Sequence, residues 1–375
     1  MRRALQKAGS LFGVLALAAW LAFSGCSQAP SALPLNMAPV LEHVGAMGVK
    51  NVYFNGSAFP NLVKTAPLWL AAADRVASSE RVRSMAQAAL NPKLFRQLDR
   101  QERFDALLLV GDPVQFRPLL EHLIKTQDWA LERVDPWSLV YRRGGVESFT
   151  KETIWKEVSR WEGASAGVRA TAAAAIAERL VAAGRLEAAG EVVETAKKWA
   201  PANAAVCTTE GWYRLARGEW KQAVAAAEKA LKSDKKYRPA LSVKAQGLYF
   251  SKKFEEAYQL SRELLAEAPE DPVMLFTHAK ISHEVHAFQE EVEILRHLIA
   301  LAEREKRSTC WYEVYLGQAL AAIGKGEEAL QNFDKALADS DLPADQRDFA
   351  KSARAKVYLR LHPTGDGWSK IPASR

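Results

Sequence analysis

LGQALAAIGKGEEALQNFDKALA, residues 316–338, is the stretch whose reading decides the fold. It holds two amphipathic segments of helical period, split by Gly324, with small residues at Gly317, Ala329 and Ala336 and a large one at Phe333. Glycine ends a helix in a left-handed conformation at no Cβ cost, so the segment predicts a helix, a tight turn and a second helix. The same arrangement recurs upstream in a register of 34 residues, with units beginning at 170, 204, 238 and 272, and a fifth at 310 after four extra residues around Arg304 to Arg307. The eighth position reads Ala177, Gly211, Ala245, Ala279 and Gly317. The twentieth reads Ala189, Ala223, Ala257, Glu291 and Ala329, and the twenty-seventh Ala196, Ala230, Leu264, Leu298 and Ala336. Leu186, Trp220, Phe254, Phe288 and Gly326 follow the turns. Two antiparallel helices approach closely only where side chains are small, and a single pair cannot bury its own apolar face, so the pairs must stack.

This register resembles the tetratricopeptide repeat family over about 170–341. The resemblance implies a mainly α solenoid whose function is to bind other proteins. Glu291 departs from the pattern, in the fourth unit, and Lys235 stands in the second where Pro is usual. Residues 151–161 and 343–361 read as helices capping the two ends of the array, and 362–375 as a tail. The fifth, ninth and twelfth positions line the concave side in this register. They hold Thr208, Trp212 and Leu215, then Ser242, Gln246 and Tyr249, then Phe276, Lys280 and His283, then Val314, Gln318 and Ala321. From these, Trp212, Gln246, Tyr249, Phe276, Lys280, His283 and Gln318 are the expected contacts to an extended peptide or a partner's helix, with Trp212 and Tyr249 as anchors. The other use of those aromatics is packing between neighbouring repeats. Paired Lys and Asn that clamp a terminal carboxylate in some members have no counterpart here, so that specificity does not carry over.

The N-terminus carries an address. Arg2, Arg3 and Lys7 precede an apolar run from Leu11 to Phe23, about 13 residues and too short for a comfortable membrane span. It ends in Phe23-Ser24-Gly25-Cys26, which resembles the lipobox of bacterial lipoproteins, with Phe23 where Leu is usual. The resemblance implies a signal peptide over 1–25, lipidation of Cys26 and, with Ser27 following, an outer-membrane protein facing the periplasm. More than one acyl chain makes such anchoring stable. Residues 26–36, small and Pro-bearing, read as a tether.

Residues 37–150 differ in kind and predict a small α/β domain. Val49 to Phe54 is a β-like run, Ala106 to Val110 a buried strand, and Gly111-Asp112-Pro113 opens a helix through Ile124. Trp129–Val134 and Trp137–Tyr141 are strands around an Asp135-Pro136 turn, and Leu62–Leu90 is mostly helical. In the order of these elements and in the Trp-rich hairpin, the segment is similar to the soluble domain attached to mannosyltransferase-like membrane glycosyltransferases. That likeness implies an envelope setting rather than an activity.

Candidate chemistry is sparse. Asp112 stands at a strand's C-terminal end, where α/β sites lie, yet it suits a helix cap as well, and Asp135 suits its turn. The chain lacks a P-loop and GxGxxG, so a non-catalytic protein without cofactor is expected. His278, His283 and His286 are spaced five and three apart, not the i, i+4 of a helical zinc pair, so no metal is expected. Beyond Cys26, Cys207 and Cys310 read as buried thiols, with a disulfide left open. The net charge of +7 includes three positives in residues 1–25, and the densest basic run, Lys229 to Arg238, ends a predicted helix, so nucleic acid is not the expected partner. The expectation is a membrane-anchored envelope scaffold. The alternative is an accessory or degenerate component of a glycan-handling system. The oligomeric state is not legible in these residues.

Overall fold

A computed structural model of the chain describes residues 38–49, 51–55, 79–144, 150–304, 307–339 and 342–363. Cys26, the signal peptide and the tether lie outside the described residues, as does the expected helical stretch from 62 to 78. The described part is mainly α, with one four-stranded sheet. It forms two compact units, Met1–Lys253 and Phe254–Arg375, each described by itself below.

The first unit begins with α1 (Ala38–Ala46), β1 (Val52–Phe54), α2 (Ser79–Leu90), α3 (Pro92–Glu102) and β2 (Ala106–Val110). A 3-10 turn (Pro113–Phe116), α4 (Arg117–Thr126), β3 (Trp129–Val134) and β4 (Ser138–Arg143) complete the α/β layer. The sheet order is β1-β2-β4-β3, with β1 and β2 parallel, the remaining pairings antiparallel, and an irregularity between Leu131 and Arg133. Every residue of β2 is buried, because side chains alternate between two covered faces. Leu107 and Leu109 join the core that contains Phe95, Leu119 and Leu123, whereas Leu108 and Val110 pack with Val40, Leu41 and Val44 of α1. Asp135 holds the β3–β4 turn: its Oδ1 accepts from the Trp137 and Ser138 amides, each at 2.9 Å. Asp112 stands directly ahead of the 3-10 turn, and α4 starts after Phe116 with no side-chain cap.

Helix α5 (Lys151–Ser159) bridges sheet and repeats. Glu157 takes a 2.7 Å hydrogen bond from Arg133 of β3, both side chains nearly buried. The first repeats follow as α6 (Ala166–Ala182) with α7 (Leu186–Trp199), α8 (Ala204–Ala216) with α9 (Trp220–Leu231), and α10 (Arg238–Phe250). One apolar core runs without a break from Leu107 and Leu131 in the sheet through Ile154, Ala173 and Leu180 to Val206 and Tyr213. Arg179 of α6, fully buried, donates to the Gly111 carbonyl at 2.9 Å and ties that helix to the end of β2.

The second unit contains α11 (Phe254–Glu267), α12 (Pro272–Glu284), α13 (Phe288–Arg304), α14 (Cys310–Ala322), α15 (Gly326–Ala338) and the long α16 (Ala344–Leu361), which packs on α15. The register read from sequence matches the helices of units two to five, whereas in the first unit the first helix starts at Ala166, four residues ahead of the expected 170. Helices start at the first position of units two to five and at the seventeenth position of all five. The small residues of the eighth and twentieth positions are buried, and the reason is contact. A Cβ on Gly211 would stand 2.6 Å from Val243 Cγ1, and one on Gly317 2.9 Å from Phe333 Cε1.

The fifteenth position is left-handed in every unit: Gly184, Gly218, Lys252, His286 and Gly324 have φ of 74°, 74°, 60°, 61° and 80°. The next amide bonds five residues back in each, from Arg185 to Leu180, Glu219 to Arg214, Lys253 to Leu248, Ala287 to Ser282 and Lys325 to Leu320, at 2.8–2.9 Å. This satisfies a carbonyl that the helix end leaves open. Sequence reading found the three glycines, whereas Lys252 and His286 adopt the same turn against their Cβ.

These turns make a paired prediction for equilibrium urea unfolding. Lys252→Gly and His286→Gly each stabilise the chain by about 0.5–1 kcal/mol, the relief of left-handed backbone less the added freedom of the unfolded chain. Gly324→Ala, whose Cβ would meet nothing within 4 Å, costs about 1 kcal/mol through the backbone alone. Gly211→Ala costs about 1–3 kcal/mol through its clash with Val243.

Candidate functional site

The structure divides the expected contact residues by exposure. In the first unit Trp212 is only 7% exposed and belongs to a cluster with Cys207, Leu215, Ala223 and Val243, and Gln246 is buried with it in the packing of α8 and α10. Tyr249 stays half-buried at the end of α10, edge-on to Phe250, whose own ring stacks on Trp220. Trp212 is thus a packing residue between repeats, and of the two expected anchors Tyr249 alone keeps solvent access.

In the second unit α12 and α14 carry the remaining candidates. Phe276 is buried and meets the rings of Tyr312 and Tyr315 at 5.3 and 5.2 Å, both near edge-on. Lys280, one turn on from Phe276, is half-buried with its ammonium 5.8 Å from the Phe276 ring and 5.9 Å from Tyr315. Aromatic faces attract a cation there, but desolvation works harder against the charge. Burial brings the Lys280 pKa down to about 7, with Glu284 opposing, and burial pushes the Tyr315 hydroxyl up to about 12. Gln318 stands half-buried on α14. Tyr315 was not singled out by the register, because it falls on the sixth position, one residue past the face the register assigns.

The histidines are each accounted for by protein partners. His278, fully buried, has its Nδ1 2.8 Å from Ser261 Oγ and its Nε2 3.2 Å from Glu290 Oε1, and Tyr258 donates to the same carboxylate. Burial holds the His278 pKa below the ordinary imidazole value. Such a Ser-His-Glu chain has the order of a nucleophile relay, yet its serine and imidazole are sealed from solvent. His283 sits against Glu291, Nδ1 to Oε2 at 2.9 Å. This explains the departure at the twentieth position of the fourth unit. A carboxylate replaces the usual small residue, fully buried, and the imidazole across the pair supplies its partner. His286 occupies the left-handed turn beside Phe288.

In the α/β layer Asp112 faces Glu178 of α6. Burial, then the Asp112 charge, pushes the Glu178 carboxyl up to about 7. Sequence reading named Asp112 but not its partner, which lies on a repeat helix 66 positions further along the chain. Cys207 and Cys310 are buried free thiols.

No family model matches the chain, and no curated protein matches it. Among solved structures it is similar to the pilF protein of Pseudomonas aeruginosa, at 18% identity over 55% of this chain and 97% of that one, TM-score 0.42. A tetratricopeptide repeat protein from Parabacteroides merdae is similar at 15% identity, covering 59% and 88%, TM-score 0.42. YrrB, described as a TPR protein with an unusual peptide-binding site, is similar at 16% identity, covering 54% and 100%, TM-score 0.41.

The His283–Glu291 pair predicts an asymmetry and a pH slope. His283→Ala leaves a sealed carboxylate without its partner and costs about 3–5 kcal/mol. Glu291→Ala restores the small residue and frees a side chain already 35% exposed, at a cost of about 1 kcal/mol. The hydrogen bond to Glu291 raises the His283 pKa, and burial raises that of Glu291. The folded chain therefore holds both protons more tightly than the unfolded one. This contribution is full at low pH and falls as pH rises, first past the ordinary carboxylate value and then from the ordinary imidazole value through the raised His283 value. Urea midpoints at pH 5.5, 7 and 8.5 check it: Glu291→Gln should flatten the slope, and an unchanged slope would contradict the assignment.

Proposed function

We propose that the protein is a membrane-anchored, non-catalytic scaffold of the bacterial envelope, held at Cys26 and capturing a protein partner through the inner helices of its repeats. One observation carries the reading. Among the ninth and twelfth positions, which also hold the aliphatic Leu215 and Ala321, the polar or aromatic side chains of Tyr249, Lys280, His283 and Gln318 keep solvent access, while the eighth and twentieth positions beside them are sealed. A peptide with alternating apolar and acidic or amide groups would meet aromatic edges, hydrogen-bonding side chains and the Lys280 amine, whose charge an acidic group would restore. In the second unit the partner contacts are Lys280, His283, Gln318 and the added Tyr315, with Phe276 packed among them; in the first unit Tyr249 is the exposed candidate, and Trp212 and Gln246 are packing residues.

The anchor rests on the segment from Arg2 to Cys26, where a positive start and an apolar run end on Ser24-Gly25-Cys26. The outer membrane is the expected destination because Ser27, not Asp, follows the cysteine.

Two measurements test the two halves. Affinity capture from detergent extracts of the source membranes, followed by mass spectrometry, should recover a stoichiometric partner. Tyr249→Ala with Lys280→Gln should reduce its recovery about tenfold or more without lowering the melting temperature by more than a degree or two. Recovery unchanged in that variant overturns the groove reading. Separately, labelled palmitate should enter the wild-type chain and not Cys26→Ser, which should partition into the aqueous phase of a detergent cloud-point extraction.

A further inference from the structure

A cleft of about 190 Å³ opens in the α/β layer between α3 and α4, at the foot of β3. Its floor is apolar: Phe95 and Trp129, both buried, have ring centroids 6.3 Å apart. The walls are polar. Arg96 and Arg100 stand one turn apart on α3, His122 comes from α4 with its ring near edge-on to Phe95 at 5.9 Å, and Asp128 opens β3. Nothing in the core calls for these four groups to face one another, because Phe95 already fills the space between the two helices.

The charge of the cleft follows from one committed pair. Asp99 also lines it, but its carboxylate is bonded to Arg143, whose guanidinium lies 4.3 Å over the Trp129 ring and donates to the Phe104 carbonyl at 2.7 Å. Arg96 and Arg100 thus bring two positive charges to a cleft whose carboxylates are Asp128 and the Arg143-bonded Asp99. The imidazole of His122 senses the balance. Burial lowers its pKa first, Arg96 next, and Lys125 in the same direction, against Asp128 and Asp99. His122 is therefore neutral at neutral pH and donates from one nitrogen while accepting at the other.

We propose that this cleft binds a small anion, a phosphate or carboxylate head group, held by Arg96 and Arg100 and hydrogen-bonded by His122. Guanidinium forks match the paired oxygens of either group, and the buried apolar floor of Phe95 and Trp129 reduces screening at the base of the cleft. The volume admits a head group with a few attached atoms, below the size of sites that enclose larger ligands. A bound anion favours imidazolium, so binding raises the His122 pKa and tightens as pH falls through the ordinary imidazole range. The site is separate from the repeat surface and does not rest on the scaffold reading.

The test is histidine side-chain NMR on the full chain in detergent, with the His122 signal assigned by His122→Gln. Inorganic phosphate and acetate are titrated separately at ionic strength held constant with chloride. Support is a saturable shift with a midpoint in the range of about a millimolar, a raised His122 pKa in the bound form, and a weakening of about tenfold or more in Arg100→Gln or Arg96→Gln. Both arginines are exposed, so these variants leave the fold intact, which a melting curve verifies. The arm that saturates, phosphate or acetate, identifies the head group. A shift that never saturates, that chloride reproduces, or that survives replacement of both arginines overturns the proposal. So does saturation by methyl glucoside with neither anion bound.

Discussion

How closely two helix backbones can approach is the constraint on which the repeated part of this chain depends. Where a Cβ is missing or small, as at Gly211, Ala245 and Gly317, the neighbouring helix moves in until its own side chains touch backbone. Such contacts cannot be stretched. They fix the separation of the two helices of a pair, and with it the place where the large residue after each turn must fall. The left-handed fifteenth position belongs to the same geometry, since it reverses the chain in too few residues for any looser turn. Lys252 and His286 show how strongly the packing insists, because they accept an unfavourable backbone so that the following helix can start on time.

This constraint also explains what could be read before any coordinates. A close approach excludes all but two or three residue types at one position, so Ala and Gly at the eighth and twentieth positions set the register that the helices of units two to five follow. The strands Ala106–Val110 and Trp129–Val134 were legible for a similar reason, as continuous apolar or alternating runs bounded by turn residues. Other features carry no such signature. The partnership of His283 with Glu291 is a pair of individually odd residues that make sense only across two helices. Burial of Trp212 was open because an aromatic at an inner position serves a core and a binding face equally well. The cleft at His122 depends on three elements brought together by the sheet, and Tyr315 on a rotation of about one residue relative to the assigned face. Asp112 was legible as a loop acid, but its interaction with Glu178 required the docking of α6 on the sheet.

Polar groups inside the second unit follow a rule of their own. Glu291, His278 and Ser261 are sealed, yet each has a partner placed within hydrogen-bond reach by a neighbouring helix. Buried polar groups that are satisfied in one arrangement alone discriminate against slipped packings, where a one-turn shift would strand a carboxylate in apolar surroundings. An array of near-identical Ala-rich helices is at risk of such slips, and the fourth unit, the least regular in sequence, carries most of this insurance.

The unbroken core from the sheet into α6, α7 and α8 has an evolutionary consequence. Solenoids ordinarily change length by duplicating or deleting a unit at either end. Here the outer surface of α6 is taken by Arg179 on Gly111 and by the residues beneath β3, so no unit can be inserted before it without evicting the α/β layer. Lengthening or shortening in related chains is therefore confined to the side away from the sheet, and the first helix pair travels with the α/β layer as one heritable piece.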